Sequence, residues 1–554
     1  MPRTHSPVGL EIAWSRITSI ADEADANVAR TAFSSIIRDS HDYSCGLYDA
    51  RGNLLSQPAS VAPAHLGGMT AAMKILGDHF PFETLREGDA IVTNDPWIMS
   101  GHLPDIMVVM PVFHRGRLVA HTGSVFHHQD VGGHLGTDTR EVFEEGLQIP
   151  PCMLYRAGQA NEDIFRIIAQ NVRVPELVIN DLKSQVASLH FTAGRIRSFL
   201  EEQNLDDLES LADEIYKRTE TAVRRGIEKI PDGVYSAEKL LDLGPDEPNV
   251  RLKLRLEVTG DELFADFAGT SPQVERGVNC VFNYTTAYLL FGIMSLVAPF
   301  LPSNAGAVRP LRIAAPEGCI LNAQRPAPVI GRTAIGQNIP ELVFSALSPV
   351  LPEEVIAESG SLPLWWLTLS GQRASGEPFV VGPMFSGGLG ARSGSDGVST
   401  LTFPTNIMNN PVEAMESESP LLVERRELVE DSAGAGRYRG GLGQAFVVRV
   451  PDDDTAPARP VVNFLVAGRT VIGPKGLFGA TDAPPAAIEV NGQTIGWGRP
   501  YLLNPGDRIA YRTAGGGGYG NPKERDRDKV REDLRNGLVS PQAARDIYGL
   551  DDPS

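Results

Sequence analysis

The sequence has few cysteines, and it carries a large excess of negative charge. The four cysteines lie at positions 45, 152, 280 and 319, form no CxxC pair and fit no zinc-ribbon spacing. Scattered thiols are typical of a reducing compartment, so we predict a cytoplasmic protein in which they are buried small apolar residues. The formal net charge of −19 disfavours a nucleic-acid or anionic membrane surface as a partner.

Several other signals are missing. The opening MPRTHSPVGLEIAW has no apolar core of a signal peptide. The longest apolar run, Thr285–Leu301, contains a proline and is short for a membrane span, which predicts a buried helix. Neither GxxxxGK[ST] nor a GxGxxG that opens a helix after a strand occurs, and no G-x-S-x-G nucleophile elbow is found.

Histidine is absent from the chain after His190. Nine of the eleven histidines lie between His41 and His134. Any imidazole chemistry is therefore expected in the N-terminal third of the chain.

A histidine-rich hairpin is predicted within Asn94–His134. Two apolar runs, DIMVVMPVF and RLVAHTGSVF, are separated by HRGR, as in a β-hairpin. SGHLPD precedes the first strand and HHQDVGG follows the second. Because the end of the second strand lies beside the start of the first, we expect His102 and Asp105 near His127, His128 and Asp130.

Imidazole and carboxylate groups gathered in this way predict a catalytic metal site. Such a donor set suits zinc, manganese or iron, and the best candidates are Asp42, His102, Asp105 and His127. His127 is favoured over His128 because neighbours on a strand point to opposite faces.

The alternative to a metal site is that these residues cap turns. His65 and His134 are weaker candidates for ligands. Three roles stay open for Asp130: a ligand, a partner that orients a histidine, or a general base.

The length of 554 residues predicts three or four domains, and the patterns predict a multi-domain α+β fold. We expect residues 1–230 to form a mixed N-terminal part with hairpins and the metal site, and residues 231–375 to form a middle α+β domain. Residues 376–520 are predicted to form a β-rich C-terminal domain, and residues 521–554 a helical tail.

Within the first part, periodic apolar residues indicate a helical stretch broken or kinked at Pro175 and another helix beginning near Met69. Two short apolar runs, Cys45–Tyr48 and Leu54–Leu55, flank a turn signal at residues 49–52 and predict a second hairpin.

Three glycine-rich segments stand in the C-terminal part: SGGLGARSGSDG, SAGAGRYRGGLG and AGGGGYGNP. We interpret them as tight turns whose glycines need positive φ. The functional alternative is an anion clamp for a phosphorylated or carboxylate substrate, formed by Arg392, Arg437 and Arg439.

Ordered motifs along nearly the whole chain resemble those of the hydantoinase B/oxoprolinase family. They are RDSHDYSCGLYDARGNLLSQ, PAHLGGM, NDPWIMSGHLPDI, HHQDVGG, EEGLQIPP, NVRVPELVINDLKSQ, PSNAGAVRPLRI, PEGCILN, NNPVEAMESESP, DSAGAGRYRGGLG and GGGGYGNPKERD. Two departures are Tyr43, where phenylalanine is usual, and Met99-Ser100, where glycine is usual before Gly101. The second departure bears on substrate access.

The resemblance implies a metal-bearing B subunit of an ATP-dependent hydantoinase or 5-oxoprolinase. A separate A-type ATPase subunit would bind the ATP and phosphorylate a lactam or hydantoin, in an assembly such as A2B2. The implied ligands are Asp42, His102, Asp105 and His127 around zinc or manganese, with iron less favoured, and Asp130 or His128 would move the proton. One alternative is a subunit of an acetone or acetophenone carboxylase. Another is a non-catalytic scaffold with a structural metal.

Overall fold

A computed structural model describes residues 6–59, 62–244 and 247–550. Its N-terminal part combines one large antiparallel sheet with helices on both faces. The elements are α1 Pro7–Thr31, α2 Ser35–Arg38, β1 Tyr43–Asp49, β2 Leu54–Ser56, α3 Pro63–His79, β3 Ala90–Thr93, β4 Asp105–His114, β5 Arg117–His127, β6 Cys152–Arg156, β7 Gln159–Ala160, α4 Glu162–Asn171, α5 Pro175–Glu202 and α6 Glu209–Ile227.

The predicted hairpin forms the centre of this sheet, whose order is β2-β1-β5-β4-β3-β6-β7. Both faces of β4 are buried, and successive residues join different cores. Met107 and Val109 pack with residues of α3, whereas Ile106 and Val108 pack with residues of α5. Because helices cover both faces of this antiparallel hairpin, its strands are almost continuously apolar in sequence.

The predicted hairpins β1–β2 and β4–β5 are confirmed, but one helix prediction needs correction. The helix expected near Met69 begins at Pro63, which occupies its first turn. Of the two alternatives at Pro175, the break is confirmed: α4 ends at Asn171 and α5 starts at Pro175. Proline is tolerated at a first helical position because its missing N–H has no intrahelical partner there.

The middle part packs a four-stranded sheet against helices. Its elements are β8 Gly233–Leu241, β9 Val250–Thr259, β10 Glu262–Asp266, α7 Phe282–Val297, β11 Leu311–Ala314, α8 Thr333–Gly336 and α9 Ile339–Leu347. Strand β9 alternates buried and exposed residues, as a half-buried strand should. Helix α7 covers most of the longest apolar run and is largely buried, as predicted. Within the described residues, none of the helices is long and apolar enough to span a bilayer.

The C-terminal part contains two five-stranded sheets. Its elements are β12 Trp365–Gln372, β13 Pro378–Val381, β14 Met384–Phe385, α10 Val412–Glu418, β15 Leu422–Leu428, β16 Gln444–Arg449, β17 Ala458–Val466, β18 Ala487–Val490, β19 Gln493–Thr494, β20 Tyr501–Leu502, β21 Arg508–Arg512, α11 Arg527–Arg535 and α12 Pro541–Asp546. The fold is therefore mixed α and β with several sheets, and the C-terminal part is β-rich.

The glycine-rich segments pack against one another, which corrects part of their interpretation as turns: Gly394 and Gly520 have the predicted positive φ, but the glycines at the close contacts do not. A Cβ on Gly388 would lie 1.9 Å from the carbonyl oxygen of Gly441, and one on Gly440 would lie 1.9 Å from that of Gly516. Neither Gly388 nor Gly440 has positive φ. The segments are bonded through their backbones, with the Gly516 amide donating to Gly441. Glycine is needed here because the chains approach too closely for any side chain.

One apolar core runs through all three parts. It contains Phe126 of β5, Leu252 of β9, Trp365 of β12 and Phe446 of β16. Strands β12 and β13, which pair, lie on either side of the predicted division at residue 375. The division into four units stays a prediction. The cavity beside the candidate metal ligands, called the metal cavity below, is lined by residues of all three parts, among them Asp42, Tyr284 and Thr405.

Candidate metal centre

The open end of the central hairpin, where β4 begins and β5 ends, brings His102, Asp105 and His127 together. Asp105 is the first residue of β4 and pairs in register with His127, the last residue of β5. His102 precedes them in a turn that includes Gly101, whose φ is +91°. A Cβ on Gly101 would lie 2.8 Å from Cδ of Arg332, so only glycine lets this turn approach that side chain. The predicted convergence of these three residues is confirmed.

Potential ligand atoms of these three residues all lie within 4.8 Å of one another. Nε2 of His102 is 2.9 Å from Oδ1 of Asp105, and Nδ1 of His127 is 3.0 Å from the same oxygen. All three side chains are buried. Nitrogen and carboxylate donors this close together and shielded from water form a set suited to one small cation.

The ring of His102 is oriented by a backbone carbonyl. Its Nδ1 lies 2.8 Å from the carbonyl oxygen of Ile330. Since a carbonyl only accepts, Nδ1 carries the proton, and Nε2 presents a lone pair toward Asp105. This arrangement is the usual one for a histidine that binds a metal.

Asp42 and His65 border the same cluster. Asp42 directly precedes β1, and its Oδ2 is 3.5 Å from Nδ1 of His127. His65, from the first turn of α3, lies with Nε2 3.3 Å from Oδ2 of Asp105 and with Nδ1 3.0 Å from Oγ of Ser44. The structure thus places both the fourth predicted ligand and the weaker candidate His65 at the site.

Burial and charge set the protonation of the cluster. Burial lowers the pKa of His102 to about 3, so this ring is neutral at neutral pH. Burial also opposes ionisation of Asp105, but the neighbouring histidines and Arg332 outweigh it and hold its pKa well below the ordinary value. Burial raises the pKa of Asp42. A neutral histidine beside an ionised carboxylate is ready to bind a cation without losing a proton first.

Two residues of the site were missed by the sequence reasoning. Arg332 donates from Nη2 to Oδ2 of Asp105 over 2.7 Å. Oε1 of Glu145 accepts from the amides of Val329 and Ile330 at 2.7 and 2.9 Å, fixing the carbonyl that holds His102. Glu145 belongs to the EEGLQIPP motif, so a signal existed, but nothing local indicated its contact with residue 330.

Asp130 and His128, the predicted proton carriers, lie at a neighbouring small cavity. Arg173 donates from Nη1 to Oδ1 of Asp130 over 2.7 Å, and the Gly132 amide donates to the same oxygen over 3.0 Å. His128 is fully buried, and burial lowers its pKa to about 3. Neither residue is among those that line the metal cavity.

The three arginines of the predicted anion clamp lie outside the metal cavity. Arg439 is buried and forms an ion pair with Asp533. The guanidinium of Arg437 lies 5.7 Å from the ring centre of Tyr438, and Arg392 forms a backbone bridge with Ser395. Among the histidine candidates, His134 is partly exposed and pairs with Asp138 rather than with the cluster.

The residues present fit a bound metal. Nε2 of His127 is buried and has no hydrogen-bond partner in the described part of the chain, and Nε2 of His102 has only the close contact with Asp105. Leaving buried nitrogens unsatisfied costs free energy that a bound cation would recover. The adjoining cavity has a volume of about 40 Å³, enough for a cation and a water molecule or two.

Comparison with known proteins decides the family. The model of the family described as hydantoinase B/oxoprolinase matches residues 6–522. The chain belongs to this family. A relative from Pseudomonas sp. strain NS671, named as the B subunit of a D-/L-hydantoinase, is 30% identical, with 98% of this chain and 95% of the relative covered. The beta subunit of the caprolactamase of Pseudomonas jessenii is 29% identical, with 99% and 96% covered.

Solved structures agree with this family membership. The ATP-dependent caprolactamase from Pseudomonas jessenii superposes with a TM-score of 0.90 at 27% identity, covering 99% of this chain and 97% of that one. An acetone carboxylase structure has a TM-score of 0.88 at 20% identity, covering 98% and 79%, and shows a shared fold. A 5-oxoprolinase of Pestalotiopsis fici is 27% identical, and the match covers 42% of its length. A hydantoinase B-type chain thus corresponds to part of that longer enzyme.

Proposed function

We propose that this chain is the metal-dependent subunit of an ATP-dependent hydrolase that opens a cyclic amide. The observation that carries the proposal is the buried cluster of His102, Asp105 and His127, bordered by Asp42, in a member of the hydantoinase B/oxoprolinase family. Relatives at 27–30% identity carry hydrolase names, whereas the carboxylase relative is 20% identical. This favours the hydrolase over the carboxylase alternative.

In this proposal Asp42, His102, Asp105 and His127 hold a divalent ion, zinc or manganese, while iron suits the donors less well. Such an ion supplies Lewis acidity toward water or a carbonyl oxygen at neutral pH. The carbonyl of Ile330 fixes the ring of His102 through Nδ1 and leaves Nε2 as the nitrogen that would bind the ion. The small cavity beside these residues provides the open position that a catalytic site needs and a structural site lacks, which supports catalysis over a scaffold role.

A separate A-type ATPase subunit is also part of the proposal. The sequence has no phosphate loop of its own, and the caprolactamase relative is described as ATP-dependent. The partner would bind ATP and phosphorylate the amide carbonyl oxygen. Attack of water on that carbon would then break the C–N bond of the ring and leave the opened acid as its acyl phosphate, and a second water would release phosphate and the free acid, in an assembly such as A2B2.

His128 and Asp130 are proposed to move the proton of the attacking water, and the arginines 392, 437 and 439 to bind substrate. The ion pair with Arg173 gives Asp130 a second, structural role. His128→Gln and Asp130→Asn should each lower kcat and alter the pH–rate profile of the reconstituted complex. If His128→Gln and Asp130→Asn both keep the pH–rate profile of the wild type, neither residue transfers the proton.

Reconstitution tests the function directly. The purified chain and its ATPase partner would be assayed together with hydantoin, 5-oxoproline and acetophenone, with and without bicarbonate. We expect ATP-dependent ring opening of a cyclic amide that needs both chains and no bicarbonate. Bicarbonate-dependent consumption of acetophenone would establish the carboxylase instead. Ring opening that survives loss of the metal ligands would favour the scaffold.

A further inference from the structure

Arg332 is a buried arginine with an unused donor. It is 2% exposed. Its Nε donates to the carbonyl of Ser100, its Nη2 donates to Asp105, and its guanidinium lies 4.5 Å from the ring centre of Tyr284. Nη1 has no hydrogen-bond partner among the described residues. Since a guanidinium keeps its charge in proteins, this buried N–H group retains its need for an acceptor.

This arginine lines the metal cavity together with Asp42, His65, Asp105 and both candidate histidine ligands. A divalent cation bound beside them would offset the charges of the two carboxylates, Asp42 and Asp105. The positive charge of Arg332, which pairs with Asp105, would then have no carboxylate of its own in the cavity. A cavity with a cation, a guanidinium and no further carboxylate among its lining residues attracts an anion.

The guanidinium is also held in place before any ligand arrives. Two of its three nitrogens are bonded on one side of the site, to Ser100 and to Asp105. The ring of Tyr284 supports one face of the guanidinium. Donors fixed in this way need little reorganisation when negative charge develops near them, and that is how electrostatic stabilisation works in enzymes.

We propose that Nη1 of Arg332 binds an oxyanion of the activated substrate, namely an oxygen of its phosphoryl group, and then of the phosphate that is released. A phosphoryl group offers several oxygens, so it can contact the cation and the arginine at the same time. The inference rests on the proposed function. It adds a residue that recognises the phosphoryl group to the residues that hold the metal.

Binding of inorganic phosphate to the metal-loaded chain tests this without the partner or turnover. Isothermal titration calorimetry would compare the wild type, Arg332→Met and Arg332→Lys, with metal content measured by elemental analysis. We expect Arg332→Met to keep its metal and bind phosphate at least about tenfold more weakly, the usual loss for one charged hydrogen bond. Arg332→Lys should restore part of the affinity, and Arg312→Met, at an exposed position of β11, should match the wild type.

Phosphate binding that is equal in the wild type and Arg332→Met, or absent from the wild type, would overturn the inference. So would loss of metal from both Arg332 variants, because Arg332 would then act only by positioning Asp105. Bicarbonate would be titrated in the same way. If the chain binds bicarbonate and not phosphate, Arg332 does not recognise a phosphoryl group and the inference fails. If phosphate binds through Arg332 while the reconstituted complex opens no ring, the proposed function fails, and Arg332 is a phosphate-binding residue that serves another reaction.

Discussion

His102→Ala is expected to abolish both metal binding and ring opening. Alanine removes the nitrogen that lies 2.9 Å from Asp105, and it leaves the carbonyl of Ile330 without its donor. Loss of a residue that only orients a ligand typically weakens metal binding 10–100-fold, so loss of the ligand itself should exceed about 100-fold. Elemental analysis after dialysis measures the metal, and the reconstituted complex measures activity.

The control for this variant is His190→Ala, at an exposed position of α5, which should retain metal and full activity. Thermal unfolding of both variants would show whether the fold is intact. A His102→Ala protein that keeps its metal and its activity would show that the cluster is not the metal centre. Retention of metal with loss of activity would instead show that the other three residues suffice for binding.

The core of the site could be predicted because it lies on one hairpin. Strand alternation and antiparallel pairing fix where the residues at the ends of two adjacent strands must meet. His102, Asp105 and His127 therefore follow from the apolar runs and the turn between them. Asp42 does not follow from that hairpin: the structure brings it to the site because β1 pairs with β5, and the amide of His127 donates to the carbonyl of Asp42.

Arg332 and Glu145 could not be predicted in this way. Arg332 is 227 residues from the carboxylate that it contacts, and Glu145 is 185 residues from the amide of Ile330. No periodicity links such positions, since the contacts depend on how the middle part packs on the N-terminal sheet. Only packing of whole elements brings them together.

The glycine-rich segments show the same limit for the fold. Glycine adopts positive φ readily, so a glycine-rich segment in the sequence predicts tight turns. In the structure Gly388, Gly440 and Gly516 allow backbones from distant segments to touch. Sequence composition indicates that glycine is required there, but the partner that requires it lies elsewhere in the chain.

Glu145→Gln is expected to change how stability depends on pH. Burial raises the pKa of Glu145 from the ordinary 4.5 to about 8. Between these values the folded protein holds a proton that the unfolded chain has released, so the contribution of Glu145 to stability falls as pH rises. The slope cannot exceed about 1.4 kcal/mol per pH unit for one group. Glutamine is always neutral, and its Oε1 can still accept from Val329 and Ile330.

The stability of Glu145→Gln relative to the wild type should therefore increase between pH 5 and pH 8.5, by a total on the order of a few kcal/mol. Denaturant unfolding of the metal-free proteins at several pH values measures this difference. Glu144→Gln, at the adjacent exposed position, should show no such trend. A difference that stays constant with pH would mean that Glu145 is ionised in the folded protein. In that case the amides of Val329 and Ile330, which fix His102 through the carbonyl of Ile330, would be bound by a full negative charge.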